Sequence, residues 1–203
     1  MNFMRGMAGS AAAACVACTA SASIVSYDSD PGLEGLGSFI GSTEWTYLGG
    51  NAGVVVVTLM NTSPSENGGY LTGFGFNVRP EVKIEGTDLH EGWSGISGFN
   101  APPLGEFDCG AALGGDWLGG GSPLAGIGVG QTFVFRFDVR GDSSVLATLE
   151  AHDFFDETNG WGFAARFRGF TDGGSDKVTA SLPSPGAIAL LSLGALGARR
   201  RRR

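Results

Sequence analysis

Three carboxylates lie close together in a His-Asp-Phe-Phe-Asp-Glu run, the densest polar stretch of the chain. Calcium prefers carboxylate and carbonyl oxygens as ligands, so Asp153, Asp156 and Glu157 form a candidate cation site. A second candidate is the loop in which Asp172 and Asp176 enclose Gly-Gly-Ser. Calcium is therefore the one cofactor that these residues suggest.

Both acidic segments also have a plainer interpretation. The first fits a solvated strand end, and the second fits a hairpin turn between two strands. The sequence favours these interpretations, because the second segment lacks the alternating acidic positions of known calcium-binding repeats.

Catalytic chemistry has weaker candidates still. A hydrolase needs a positioned base, and neither His90 nor His152 lies in a recognisable catalytic frame. Cys109 has no local partner, and a small buried thiol explains it better than a nucleophile does. The glycine-rich stretches lack the lysine of a phosphate-binding loop. We therefore expect a protein that is not an enzyme.

Four tryptophans, Trp45, Trp93, Trp117 and Trp161, lie near predicted turns or in loop-rich stretches. Exposed indole rings stack on sugars in many β-sandwich modules, so Trp93, Trp117 and Trp161 are candidate glycan contacts. The alternative is that these rings close the ends of a hydrophobic core.

The elements that must position these residues are predicted to be β-strands. Residues 53–60 contain a β-branched run typical of a buried strand, and residues 131–139 and 162–169 alternate apolar with polar side chains. Further strands are predicted at residues 24–27, 43–47, 70–78, 81–84, 146–151 and 177–180.

Strands at this spacing, separated by Gly, Pro, Asn and Asp clusters, predict an all-β fold. We expect an antiparallel β-sandwich, jelly-roll or immunoglobulin-like, over residues 23–181. Residues 101–130 are glycine-rich and show no strong strand signal, so we expect them to cross the surface at one edge of the sandwich.

Charge is distributed unevenly along the chain. All 20 acidic residues but only seven of the 13 basic residues lie within residues 28–177, so this body carries 7 − 20 = −13. Such a body repels nucleic acid and anionic polymers, which excludes nucleic acid as an expected partner.

The N-terminal segment has the pattern of a secretory signal peptide. Arg5 precedes an alanine-rich apolar run, and Ala-Ser-Ala then matches a cleavage site. We expect a signal peptide over residues 1–22, with cleavage after Ala22. Cleavage there removes Cys15 and Cys18. An alanine-rich helix and a lipidated cysteine are the alternatives, and the leucine expected before a lipidated cysteine is missing.

The C-terminal segment, residues 182–203, has three zones. A turn-forming segment and an apolar run of residues 187–198 are followed by five terminal arginines. A helix of 12 residues measures about 18 Å against about 30 Å of hydrocarbon, so it anchors only transiently in a membrane. The zones' key residues are Pro183, Ser184, Pro185 and Gly186, then Arg199, Arg200, Arg201, Arg202 and Arg203.

This order resembles the PEP-CTERM sorting signal, with Pro183 and Pro185 in its Pro-x-Pro motif and Ser184 in place of the usual glutamate. The resemblance implies processing by an exosortase, a membrane cysteine peptidase, and delivery to the outer surface or the exopolysaccharide. The arginines hold their end on the cytoplasmic side. Residues 118–123, 167–170 and 173–177 also resemble parts of uncharacterised β-rich domains that accompany such tails.

Two other interpretations of the tail stay open. The Leu-Pro-Ser-Pro-Gly segment also resembles the signal of sortase, although Pro185 replaces the threonine that sortase attacks. A plain tail anchor is the third interpretation.

The leading expectation is thus an exported, non-enzymatic bacterial protein of the cell surface, outer membrane or extracellular matrix, which passes through an inner-membrane intermediate. Its expected partners are an exosortase-type enzyme and, through the apolar helix, the membrane. The alternative is a sandwich that binds exopolysaccharide with the help of calcium.

Overall fold

The computed structural model describes residues 22–157 and 161–182, which form two antiparallel β-sheets. The prediction of an all-β fold is therefore confirmed. The two predicted flanking helices lie outside the described residues, as do all predicted sorting residues from Pro183 onward.

Eleven strands make up the two sheets. Numbered along the chain, they are β1 (Ala22–Asp28), β2 (Phe39–Gly49), β3 (Ala52–Asn61), β4 (Gly68–Phe76), β5 (Lys83–Asp88), β6 (Trp93–Asn100), β7 (Glu106–Leu113), β8 (Ile127–Gly128), β9 (Thr132–Arg140), β10 (Phe163–Phe170) and β11 (Ser175–Ala180). The first sheet has the order β1-β2-β3-β9-β5, and the second has the order β11-β10-β4-β7-β6 with β8 beside β4.

The core lies between the sheets because the strands alternate apolar side chains toward it. In β9, Phe135 and Phe137 are fully buried and point at the second sheet. The ring of Phe135 lies 4.8 Å from that of Phe74 in β4, and the ring of Phe137 lies 5.6 Å from that of Phe76. These contacts join the two sheets face to face, as a β-sandwich requires.

One side of the sandwich is closed by the chain that leaves β1. Residues 29–33 cross to the second sheet and run beside β11, where Ser29 bridges Ala180. The backbone N–H of Asp30 donates to Thr179 O at 2.8 Å. The segment that follows β1 is thus joined to the last strand, β11, by backbone hydrogen bonds.

The outer face of the second sheet is covered by a glycine-rich loop, residues 114–121, which we term the cover loop. Trp117 in this loop forms a second small core with Phe99, Phe107 and Ala164. Ala164 alternates along β10 with residues of the main core, so this cluster lies on the opposite face of the sheet. A Cβ on Gly75 would meet the Phe99 ring at 2.4 Å, so glycine there leaves the room that the ring needs.

Arg168 fastens the cover loop to β10. Its guanidinium donates to three successive carbonyls, at 3.0 Å to Gly119 O, 2.7 Å to Gly120 O and 3.2 Å to Gly121 O. The same side chain donates to Thr72 Oγ1 at 3.3 Å. One charged side chain on the sheet therefore satisfies three of the loop's carbonyls.

Three segments differ from the sequence interpretation. Residues 146–151, predicted as a strand, instead end the short helix α1 (Ser143–Leu146) and begin a 3-10 turn (Ala151–Phe154). Side chains close both turns: Asp142 accepts the Ser144 N–H, and Asp153 accepts the Glu150 N–H. These local bonds satisfy backbone groups that a strand would have paired with a neighbour.

The glycine-rich residues 101–130 were expected to lack strands, and they contain β7 and β8. Strand β6, just before them, carried no sequence signal either. Strand β6 has Gly95 and Ser97, and strand β7 has Gly110 and Ala111, where a strand normally has branched or aromatic residues. Strand β5 begins at Lys83, two residues later than predicted.

Candidate functional site

The first acidic segment is organised around an ion pair between Asp153 and Arg79. Arg79 Nη2 lies 2.5 Å from Asp153 Oδ1, and Asp153 Oδ2 accepts the backbone N–H of Glu150 at 2.8 Å. Only 8% of the Asp153 side chain is exposed. Both of its oxygens therefore serve the fold, and neither is left free for a cation.

A concavity of about 430 Å³ surrounds this ion pair. It is lined by Arg79, His152, Asp153, Phe155, Asp156 and Glu157. The structure thus brings the three candidate carboxylates of this segment to one place. Among the residues that the structure describes, however, no three His, Cys, Asp or Glu side chains are arranged to hold a metal ion.

Trp161 is tied to the same end of the molecule through Asn77. The Asn77 side-chain amide donates to Trp161 O at 3.0 Å, and its backbone carbonyl accepts the Asp156 N–H at 3.3 Å. The Trp161 side chain is 44% exposed. Asn77 therefore holds the backbone of Trp161 near the polar concavity, and we term this region the polar end.

The other three tryptophans are enclosed. Trp45, Trp93 and Trp117 are 1%, 6% and 4% exposed. Trp93 Nε1 donates to Ala125 O at 3.3 Å, and the Trp117 ring packs 5.2 Å from that of Phe99. The expectation of exposed rings is therefore wrong for Trp93 and Trp117, which complete apolar clusters and offer no open face to a sugar.

The second candidate cation loop is a structural turn. Asp172 Oδ1 accepts the Gly174 N–H at 2.7 Å, which is the hairpin-turn arrangement. Asp176 is 2% exposed and points inward, where it accepts the backbone N–H groups of Glu34, Leu36 and Gly37 at 2.9–3.0 Å. These two carboxylates therefore do not share a ligand site.

The reactive side chains of the described chain are placed apart. Burial, and secondarily Asp108, raises the pKa of the Cys109 thiol, so the thiol stays protonated at neutral pH. The His90 ring stacks on Phe133 at 3.9 Å, and its Nε2 accepts the Val134 N–H at 3.3 Å. The interpretation of Cys109 as a buried thiol is confirmed.

A further concavity, of about 560 Å³, lies on the outer face of the first sheet. Its lining residues are Ser26, Tyr27, Asp28, Ile40, Gly41, Ser42, Thr58, Met60 and Thr132. They mix hydroxyl and aliphatic side chains across four strands. Sequence reasoning did not single out this face, although Ser26, Ser42 and Thr58 each stand one position out of step with core residues.

Compared with known proteins, the chain matches no family model, no curated protein and no solved structure. Within residues 22–157 and 161–182, no helix has the length and apolar character needed to cross a membrane. The case for a function therefore rests on the chain's own residues.

Proposed function

We propose that this chain is an exported bacterial surface or extracellular-matrix protein without catalytic activity, delivered by a signal of the PEP-CTERM type. The observation that carries the proposal is the order of Pro183-Ser184-Pro185, an apolar run and five arginines directly after a β-sandwich. The signal helix and the apolar tail helix that flank the sandwich belong to this proposal.

The end of the described sandwich supports this arrangement. Ser181 Oγ donates to Asp30 Oδ1 at 3.0 Å, and Leu182 packs against the core. The folded contacts thus reach residue 182 and involve an edge strand, β11. A peptidase that cuts at or after Pro183 would leave the sandwich whole.

Cleavage of the leader after Ala22 is compatible with the fold for a similar reason. Strand β1 lies at the edge of the first sheet, and its first residue, Ala22, is exposed. Ser23 keeps its own contact, because its Oγ accepts the Ala151 N–H at 2.8 Å. A new amino terminus at Ser23 therefore costs only the outermost pair of β1.

The test is the intact mass of the protein recovered from the surface of the bacterium that makes it. We expect a chain that begins at Ser23 and ends within the Pro183–Gly186 segment. A mass that still includes the terminal arginines would contradict processing of the tail.

One substitution separates the two processing routes. Pro185→Thr supplies the threonine that sortase attacks and removes the second proline of the Pro-x-Pro motif. An exosortase-type route predicts less processed protein from this variant, and a sortase route predicts more. Ser184→Glu restores the usual PEP-CTERM residue, so we expect it to be processed at least as fully as the natural chain.

A second function, binding of exopolysaccharide, is favoured by Trp161. Its ring is open and its backbone is held near the polar concavity, where Arg79 and the acidic side chains offer donors and acceptors for sugar hydroxyls. Calcium assistance belongs to this second proposal, and Asp153 takes no part in it because Arg79 holds its carboxylate.

Tryptophan fluorescence tests this second function cleanly, because the other three indoles are buried. Titration with the producing bacterium's own polysaccharide should change the emission of the natural chain and leave that of Trp161→Phe unchanged. The titration is repeated with and without calcium. No change in either condition would remove glycan binding while leaving the sorting proposal intact.

A further inference from the structure

The outer side of β3 is unusually apolar for a strand that faces solvent. Residues Val55, Val57 and Leu59 fill the core, and Val54 and Val56 alternate with them on the outer side, where Val54 is only 4% exposed and Val56 is half-buried. A sheet with one solvated face normally alternates apolar with polar residues, and a continuous apolar strand is typical of burial on both faces. The sequence of β3 thus calls for a cover on its outer side.

The neighbouring strands extend this apolar surface. Ile24 in β1, Ile40 in β2 and Val134 in β9 are 66%, 43% and 51% exposed. They flank β3 on the same side, since Ile40 pairs with Met60 and Val134 pairs with Thr58. These three side chains remain open, whereas the cover loop lies over the second sheet.

One pair of opposite charges flanks β3 at the same level. The strand register puts Glu44, Val56 and Arg136 in one row, with the acid on β2 and the base on β9. Both charged side chains are exposed, and Arg136 has only a loose ion pair, at 3.8 Å, with Asp138. This row is complementary to itself after a half-turn about β3.

We propose that the outer face of the first sheet binds a second copy of this chain, face to face, about a two-fold axis parallel to β3. The half-turn exchanges the positions of β2 and β9, so Glu44 of each copy meets Arg136 of the other. Val56 meets Val56 on the axis, and Ser42 meets Val134. An interface of this symmetry uses the same patch on both copies and closes at the dimer.

The electrostatics of the whole body favour this face over others. The body carries −13, which opposes self-association in general. On the outer face of the first sheet, three of the body's seven basic side chains, Lys83, Arg136 and Arg140, stand at outward positions among five acidic ones. Repulsion between two copies is therefore lower at this face than the charge of the whole body implies.

The size of the face is also adequate. Five strands about 4.8 Å apart and about 25 Å long give a face of roughly 600 Å². Specific interfaces bury about 800 Å² of accessible surface per partner, and a textured sheet has more accessible surface than its flat outline. The face can therefore support a specific dimer of ordinary size.

Charge reversal provides the test. Sedimentation analysis of the purified full chain should show a dimer whose dissociation constant rises roughly tenfold or more in Glu44→Arg and in Arg136→Glu, because like charges then meet twice. The double variant should recover the dimer. An equimolar mixture of the two single variants should also recover it, because each copy then presents the charge that the other needs.

Glu106→Arg on β7 is the matched control, since Glu106 is exposed on the other sheet and should leave the dimer unchanged. Thermal unfolding of each variant checks that the fold is retained. A chain that is monomeric at all concentrations overturns the proposal. Association that persists unchanged in both single variants also overturns it, and would point to residues 183–203 as the contact.

Discussion

The two sheets of this sandwich differ in whether the chain covers their outer faces. The second sheet is covered by its own chain, through Trp117 and the Arg168 contacts of the cover loop. The first sheet exposes aliphatic side chains such as Ile24 and Val134. Cover by the chain itself requires glycines that let the loop lie close to the sheet. The exposed apolar side chains of the first sheet remain available for contact with another molecule.

The largest effect should come from the covered face. Trp117→Ala empties the second core and should lower the free energy of unfolding by about 3–5 kcal/mol, as other large-to-small aromatic changes do. Urea denaturation measures it. The matched change on the open face, Val134→Ala, should cost less than about 0.5 kcal/mol in the monomer. Equal losses in the two variants would contradict the contrast between the faces.

A smaller loss is expected when the fastening of the cover loop is removed. Arg168→Met leaves the Gly119, Gly120 and Gly121 carbonyls without their charged donor and should cost about 1–3 kcal/mol. Hydrogen exchange of residues 114–121 should speed up in parallel. Arg140→Met, which removes an exposed guanidinium from the first sheet, is the control and should leave both measurements almost unchanged.

The stability of the protein at alkaline pH tests the inner side of the first sheet, where Tyr27 is buried. Burial raises the pKa of Tyr27 far above its usual 10 and outweighs the opposing hydrogen bond to Thr43. Tyr27 thus stays neutral in the folded chain and ionises near pH 10 in the unfolded chain. Stability is therefore full below pH 10 and falls by about 1.4 kcal/mol per further pH unit from this group.

Tyr27→Phe should flatten this alkaline decline, measured by urea denaturation between pH 9 and 11. The buried Cys109 thiol acts in the same direction and accounts for decline that persists in this variant. An unchanged slope in Tyr27→Phe would mean that Tyr27 ionises freely in the folded chain.

The smallest change in stability should accompany Val56→Thr on the open face. It replaces a methyl by a hydroxyl at a half-buried site and should alter the unfolding free energy of the monomer by about 0.5 kcal/mol or less. Dimer affinity should nevertheless fall a few-fold, because Val56 meets its own copy on the axis. Dilution during light scattering separates these two effects.

The sequence predicted those parts of the fold that depend on local alternation. Strands β3, β9 and β10 stand out because each buries branched or aromatic residues at every second position. Strands β6 and β7 were missed because glycine, alanine and serine carry no such pattern, and the neighbours that make them strands are distant in sequence.

The candidate sites were harder to predict, because they depend on exposure and on distant partners. Nothing local distinguishes the buried Trp117 from the open Trp161. The partners of Asp176 lie up to 142 residues away, and Arg79 reaches Asp153 across 74. Tryptophans are therefore buried or exposed, and aspartates are paired, according to neighbours that only the folded chain brings close.

The contact between Asp176 and the N-terminal loop also constrains when the molecule can finish folding. The N–H groups of Glu34, Leu36 and Gly37 donate to Asp176. Asp176 is among the last residues of the sandwich to be synthesised, so these bonds cannot form earlier. Contacts of such sequence separation form late, because a long loop must close first. A chain exported as proposed would therefore cross the membrane with this side of the sandwich still open, and would close it only after β11 had followed.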